Sequence, residues 1–221
     1  MDPNPSAAID ELADLYAKLH SEKRRLAAQQ ETKRRIGAEL RVAELRVAAV
    51  QGQANAQYCL AVGVAYQQGR GVDQSDEVAV QWYRAAADQG DADAQFLMGL
   101  AYEEGRGVDQ SDEEAVQWYR KAADQGDAVA QCSLGRAYAN GRGVDQSDEE
   151  AVGWYQRAAD QGHANGQLLL GDTYEEGRGV DQSDEGAMRW YQLAADQGNA
   201  SAQFFMTSLR VSAEKETSLK N

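Results

Sequence analysis

Two cysteines and two histidines are all that this 221-residue chain contains. Cys59 and Cys132 lie far apart in sequence, beyond the roughly 7 Å reach of a disulfide in a stacked array. The reading is two free thiols in a reducing compartment, cytoplasmic with nuclear entry as the alternative. With only His20 and His163 to add, no zinc ligand set assembles. No apolar run approaches the roughly 18 residues of a membrane span, and the opening Met-Asp-Pro-Asn-Pro-Ser has no apolar core of a secretory signal. Positive charge is scarce where it would matter. Residues 51–209 carry ten Lys/Arg against 26 Asp/Glu, a balance that repels phosphate backbones and argues against nucleic acid at this part of the chain. The Gly-Arg-Gly triplets lack the third glycine of a dinucleotide fingerprint and the Lys-Ser/Thr of a phosphate loop. Asp109-Gln-Ser-Asp112-Glu-Glu lacks the alternating acids of a calcium loop. No cofactor is expected.

What is present is repetition. The stretch from Gly105 to Gln125 recurs with small changes from Gly69, Gly141 and Gly177, always at an interval of 36 residues. A fixed period of that size marks stacked supersecondary units. Within one unit, Gln95, Met98, Gly99 and Tyr102 fall on one face of a first helix. The recurring Gly99 column suggests close backbone approach by a neighbouring helix. Gly105 ends that helix and Gly107 turns the connection again. Ser111 is an N-cap with acids behind it, and Ser111/Glu114 reads as a capping box, repeated at Ser147/Glu150; Val78 and Gly186 replace the glutamate behind Ser75 and Ser183. Ala115, Trp118, Tyr119, Ala122 and Ala123 then form the apolar stripe of a second helix. All four tryptophans, Trp82, Trp118, Trp154 and Trp190, sit in one column of it, best read as core packing.

These residues carry a family resemblance. The pattern Ala-x-Ala-Gln-x-x-Leu-Gly-x-x-Tyr-x-x-Gly-x-Gly-Val, followed by Ala-x-x-Trp-Tyr-x-x-Ala-Ala-x-x-Gly, resembles the Sel1-like repeat, a relative of the tetratricopeptide repeat. The resemblance implies an all-α, right-handed α-solenoid of helix-turn-helix units that serves as an adaptor in protein complexes. It covers residues 51–209 as four full repeats plus a C-terminal capping helix, with 210–221 as a flexible tail. Many members have Pro after the Val and Asp at the helix start; Asp109 and Ser111 here alter the cap chemistry, not the fold. Gln57 stands two positions further from Tyr66 than Gln95 does from Tyr102. That spacing predicts a two-residue insertion in the first unit, rotating its helix start by about 200°.

Residues 1–50 form an N-terminal helical extension, one helix or two across 7–50, with Ser6 as N-cap. Ile9, Leu12, Tyr16 and Leu19 start a coiled-coil seam that Lys23, Gln30 and Lys33 break and Ile36, Leu40, Ala43 and Val47 resume. The segment either caps the first repeat or drives homo-oligomerisation. Lys23-Arg24-Arg25 and Lys33-Arg34-Arg35 read as a solvated helix face, since acids are interspersed.

Function is legible as a class. The second helices and turns are nearly invariant between units, and the first helices differ. Because first helices line the concave side of such solenoids, the candidate groove residues are Phe96, Leu97, Leu100, Glu104, Ser133, Arg136, Asn140, Leu169, Asp172 and Glu176. Apolar groups beside acids point to a basic amphipathic peptide or helix of another protein. The reading is a non-enzymatic adaptor, with a homo-oligomeric assembly or spacer element as the alternative. Ser212-Ala-Glu-Lys215 fits the Ser-x-x-Lys of penicillin-recognising enzymes, and some secreted cysteine-rich relatives are linked to β-lactam binding. A hydrolase is still not expected, because neither Ser-Asp-Asn nor Lys-Thr-Gly occurs and the paired cysteines of those relatives are missing. His163, at an inter-repeat turn, is expected to have no nucleophile beside it.

Overall fold

The computed structural model describes residues 5–50 and 55–219. Its logic begins at the turns. Ser111 is extended (φ -154°, ψ 113°) and its Oγ accepts from the Glu114 N–H at 3.2 Å, starting a helix over Asp112–Asp124. The Ser111 N–H is already taken by the Tyr102 carbonyl at 3.0 Å. Glu114 therefore has no free amide to reach back to, and the expected capping box is only half formed. Ser75, Ser147 and Ser183 make the same pair of bonds, which explains why Val78 and Gly186 are tolerated at the third helical position. First helices are capped by a different column. Asp91 and Asp127 accept from Ala94 and Ala130, and His163 Nδ1 takes their place before Gly166.

Ten helices result, with no strand among the described residues: α1 Pro5–Val50, α2 Ala56–Gln68, α3 Asp76–Ala87, α4 Ala92–Glu104, α5 Asp112–Asp124, α6 Ala128–Asn140, α7 Asp148–Asp160, α8 Ala164–Glu176, α9 Asp184–Asp196 and α10 Ala200–Leu219. The pairs α2/α3, α4/α5, α6/α7 and α8/α9 are the repeating units. Each pair also packs on the next through its second helix, giving an α-solenoid with a core that runs through every joint. Trp118, for example, is buried in a cluster with Cys59, Ala79, Tyr83 and Met98 from the preceding helices.

Two glycine columns set the spacing. A Cβ on Gly99 would overlap the Tyr119 ring of the partner helix, and Gly63, Gly135 and Gly171 meet Tyr83, Tyr155 and Tyr191 in the same way. The close approach expected here is thus principally by an aromatic side chain rather than by backbone. Gly143 (φ +68°) has a second role beyond turning. Its Cα lies against the Asp112 carbonyl at the start of the preceding unit's second helix, where any side chain would collide.

A buried glutamine column ties the units together. Gln95, Gln131 and Gln167 are each about 5 % exposed. Gln95 Nε2 donates to the Ala87 carbonyl of the unit before at 3.2 Å, while its Oε1 accepts from Gln125 at 2.7 Å. Gln131 and Gln167 repeat both bonds. In the first unit Gln89 points instead at Cys59 Sγ, 3.7 Å away. Cys59, not Gln57, occupies this column. The expected two-residue insertion is therefore absent, and α2 and α4 have the same 13-residue length.

The N-terminal extension is one 46-residue helix, which meets α2 and buries Val42. Tyr16, Leu19, Leu26, Ile36, Leu40 and Val47 are all exposed on it. The side chains of Ser6, Ile9 and Leu12 lie outside the described residues. At the other end Ala202, Phe205, Met206 and Leu209 cover α9 as a cap. The helix continues to Leu219, with no glycine or proline to interrupt it. The side chains of Ser212 and Lys215 lie outside the described residues.

Candidate functional site

Leu97, Leu100 and Glu104 recur at the 36-residue period as Ser133, Arg136 and Asn140, and as Leu169, Asp172 and Glu176. Spacings of three and four put each trio on one face of its first helix. At the joint between the first and second units, Leu97 and Leu100 fill the space against Ala79, Val80 and Tyr83, leaving about 10 Å³. At the next joint the equivalent positions open a cavity of about 230 Å³ between α5 and α6, with Ser133, Arg136 and Asn140 on one side and Ala115, Val116 and Tyr119 on the other.

The charged groups around that cavity are organised. Tyr119 Oη donates to Glu103 at 2.5 Å. Arg142 Nη1 reaches the same carboxylate at 3.1 Å and its Nη2 reaches Asp112 at 2.8 Å. The hydrogen bond to Asp112 holds the Arg142 pKa above its ordinary value. Burial, then the bond to Glu103, raises that of Tyr119. Arg136 forms no ion pair or side-chain hydrogen bond with a described residue. Asn140 Nδ2 donates to the Arg136 carbonyl at 2.9 Å.

The other candidate residues are placed singly. Phe96 lies against the Tyr119 ring (centroids 5.8 Å apart) and Leu169 is half-buried against the α7–α8 core. Asp172 accepts from Tyr191 at 2.7 Å, and burial raises its carboxyl above the usual range. Glu104 and Glu176 contact Arg106 and Arg178 at 2.5 Å, without the alignment of a hydrogen bond. One expectation is corrected. Cys132 Sγ lies 3.6 Å from His163 Nδ1, so a thiol does stand beside this histidine. Burial pushes that thiol up to about 11, and Nδ1 also accepts the Gly166 N–H as a helix cap. A thiol kept neutral is a packing group, not a nucleophile. Among the described residues no cluster of three or more His, Cys, Asp or Glu is placed to hold a metal, and no helix is long and apolar enough to cross a membrane.

The units match the model of one family, described as "Sel1 repeat", at residues 54–91, 92–127, 128–163 and 164–199. This chain belongs to the Sel1 repeat family. Similar solved structures include a Sel1 repeat protein from Oxalobacter formigenes, 35 % identical with a TM-score of 0.71, over 78 % of this chain and 68 % of that one. Another is c5321, a protective antigen of uropathogenic Escherichia coli with an SLR fold. It is 36 % identical with a TM-score of 0.72, over 83 % of this chain but only 42 % of its own length. No curated protein matches the sequence. Sel1 repeat proteins generally mediate protein–protein interaction.

Among these Sel1 units the third departs most at the candidate first-helix positions, and the sequence held the signal. Arg106 and Arg178 turn to the glutamate two residues before them. Asn140 stands in that place before Arg142, which therefore reaches back to Glu103 and Asp112 of the preceding unit. Asp112, Tyr119 and Arg142 were legible only as cap, core and turn residues because each does that work too.

Proposed function

We propose that this Sel1 array is a non-enzymatic adaptor that holds a peptide or helix of another protein along its first-helix face. The carrying observation is where the units differ. The glycine, serine, glutamine and Trp-Tyr columns are accounted for by turns, caps, joints and core, whereas positions 97, 100 and 104 and their equivalents change chemistry from unit to unit on one continuous face. Contact between the first helices α6 and α8 supports a shared face for the third and fourth units. The excess of acids over residues 51–209 favours a segment of basic overall charge. The test is affinity purification with the full chain, followed by binding measurements on Arg136→Leu, Asn140→Ala and Glu104→Ala, each with a helical-content control. At least one should weaken a recovered partner about tenfold, or 1.4 kcal/mol. Equal binding by all three would sink the proposal.

A second reading rests on a separate observation. Leu19, Leu26, Leu40 and Val47 are exposed at multiples of seven residues along α1, the period that winds like helices together. In that reading α1 pairs two copies of the chain and the array is the arm each presents.

A further inference from the structure

We propose that the cavity between α5 and α6 is a carboxylate subsite that takes an aspartate or glutamate side chain of the bound polypeptide. This rests on the adaptor reading above and adds a fixed point of recognition to it.

The cavity is made by substitution in a repeated wall, in which Glu103 also replaces Gln67. Every residue lining the filled joint has its counterpart 36 positions on around the open one. The change is made by Ser133 for Leu97 and Arg136 for Leu100. Two leucines that would close the joint are given up for a hydroxyl and a guanidinium, and the tight packing of the neighbouring joint is lost with them. Asn140 for Glu104 completes the change. It leaves Arg142 without the glutamate two residues before it, so that Arg142 bridges Asp112 and Glu103, the carboxylate that stands where the filled joint has Gln67. Both wall carboxylates thereby contact Arg142, while Arg136 forms no ion pair with a described residue.

A guanidinium with unused donors recognises a carboxylate bidentately. Ser133 makes no side-chain hydrogen bond with a described residue, and Asn140 uses one of its two amide N–H groups on the Arg136 carbonyl; both can add donors. Ala115 and Val116 on the opposite wall suit the methylene stem of such a side chain. The volume of about 230 Å³ is several times the roughly 30 Å³ share of one water and below the usual range for cofactor-sized ligands. A cation is disfavoured because Glu103 and Asp112 already pair with Arg142.

The experiment is an NMR titration of the full-length labelled chain with N-acetyl-glutamate methylamide, with the glutamine analogue, and with N-acetylglycine as a free terminal carboxylate. The expected result is saturable shifts at the Ser133 amide, the Arg136 Nε–H and the Asn140 side-chain amide, with glutamate bound at least about tenfold tighter than glutamine. The variant S133L/R136L restores the leucine pair of the neighbouring joint, should fold, and should lose the shifts. Equal shifts with glutamine, no saturation, or unchanged binding by S133L/R136L would overturn the subsite. Binding of N-acetylglycine alone would overturn the side-chain source. If a recovered partner binds S133L/R136L as tightly as the native chain, the subsite fails and the adaptor stands. If no partner is recovered, the adaptor reading fails while the titration still decides the subsite.

Discussion

The Trp118 ring is 5 % exposed, with the Lys121 ammonium 3.7 Å from its centroid on one side and the core of the preceding unit on the other. Trp118→Ala should cost about 3–5 kcal/mol in urea unfolding; a loss under about 1 kcal/mol would contradict its place in the shared core. Asp172 carries a pH dependence. Burial raises its folded pKa above the ordinary 3.8, so the folded state favours the protonated form. Its contribution is fully present below the unfolded pKa and is lost as pH rises through the folded value. Asp172→Asn mimics the protonated group at every pH. The melting temperature of the variant should therefore rise relative to the native chain as pH climbs through the folded pKa, then run parallel to it near neutrality. At this scale the sequence was readable where a residue's role is local. Ser111 announces a cap by its chemistry and its acidic followers. Arg142 announces nothing, because its partners lie in another unit and depend on which carboxylates its neighbours leave free.

At the scale of the element, the serine caps and the glutamates behind them make separable predictions. The Ser111 hydroxyl holds the Glu114 amide, so Ser111→Ala should cost about 1 kcal/mol. The Ser111 N–H belongs to Tyr102, so Glu114→Ala should stay within about 0.5 kcal/mol. Thermal melts of both settle it: equal losses would mean that the reciprocal bond forms after all. Helix type and order were legible because apolar periodicity, caps and terminating glycines agree with one another. The register of α2 was not. A glutamine two residues early at Gln57 looked like the column marker, while Cys59 fills the position that the 36-residue period assigns to it. Period was the stronger guide than residue identity, since a thiol can be buried and weakly bonded where an amide usually sits.

For the whole molecule, the decisive measurement concerns α1. If the exposed leucine column pairs two copies, light scattering of the full chain should give a dimer mass, and Leu19→Glu with Leu26→Glu should return it to a monomer. A monomeric native chain would remove that reading and leave the extension as a helix resting on α2. The solenoid architecture itself was readable from the 36-residue period alone. The candidate site was readable only as a set of variable positions, because whether Leu97 or Ser133 fills or empties a joint depends on the wall supplied by the unit before.

The buried glutamine joints bear on how a partner would be received. Each one fastens a first helix simultaneously to the carbonyl of the unit before and to the far end of its own unit. Flexing at a joint would pull an amide off a carbonyl where water is excluded, at a cost of about 1–3 kcal/mol for each orphaned group. The three fully amide-bridged joints therefore act as fixed angles rather than hinges. For the adaptor proposed above, the angle between units would be set before a ligand arrives, and little of the binding free energy would be spent on arranging the receptor.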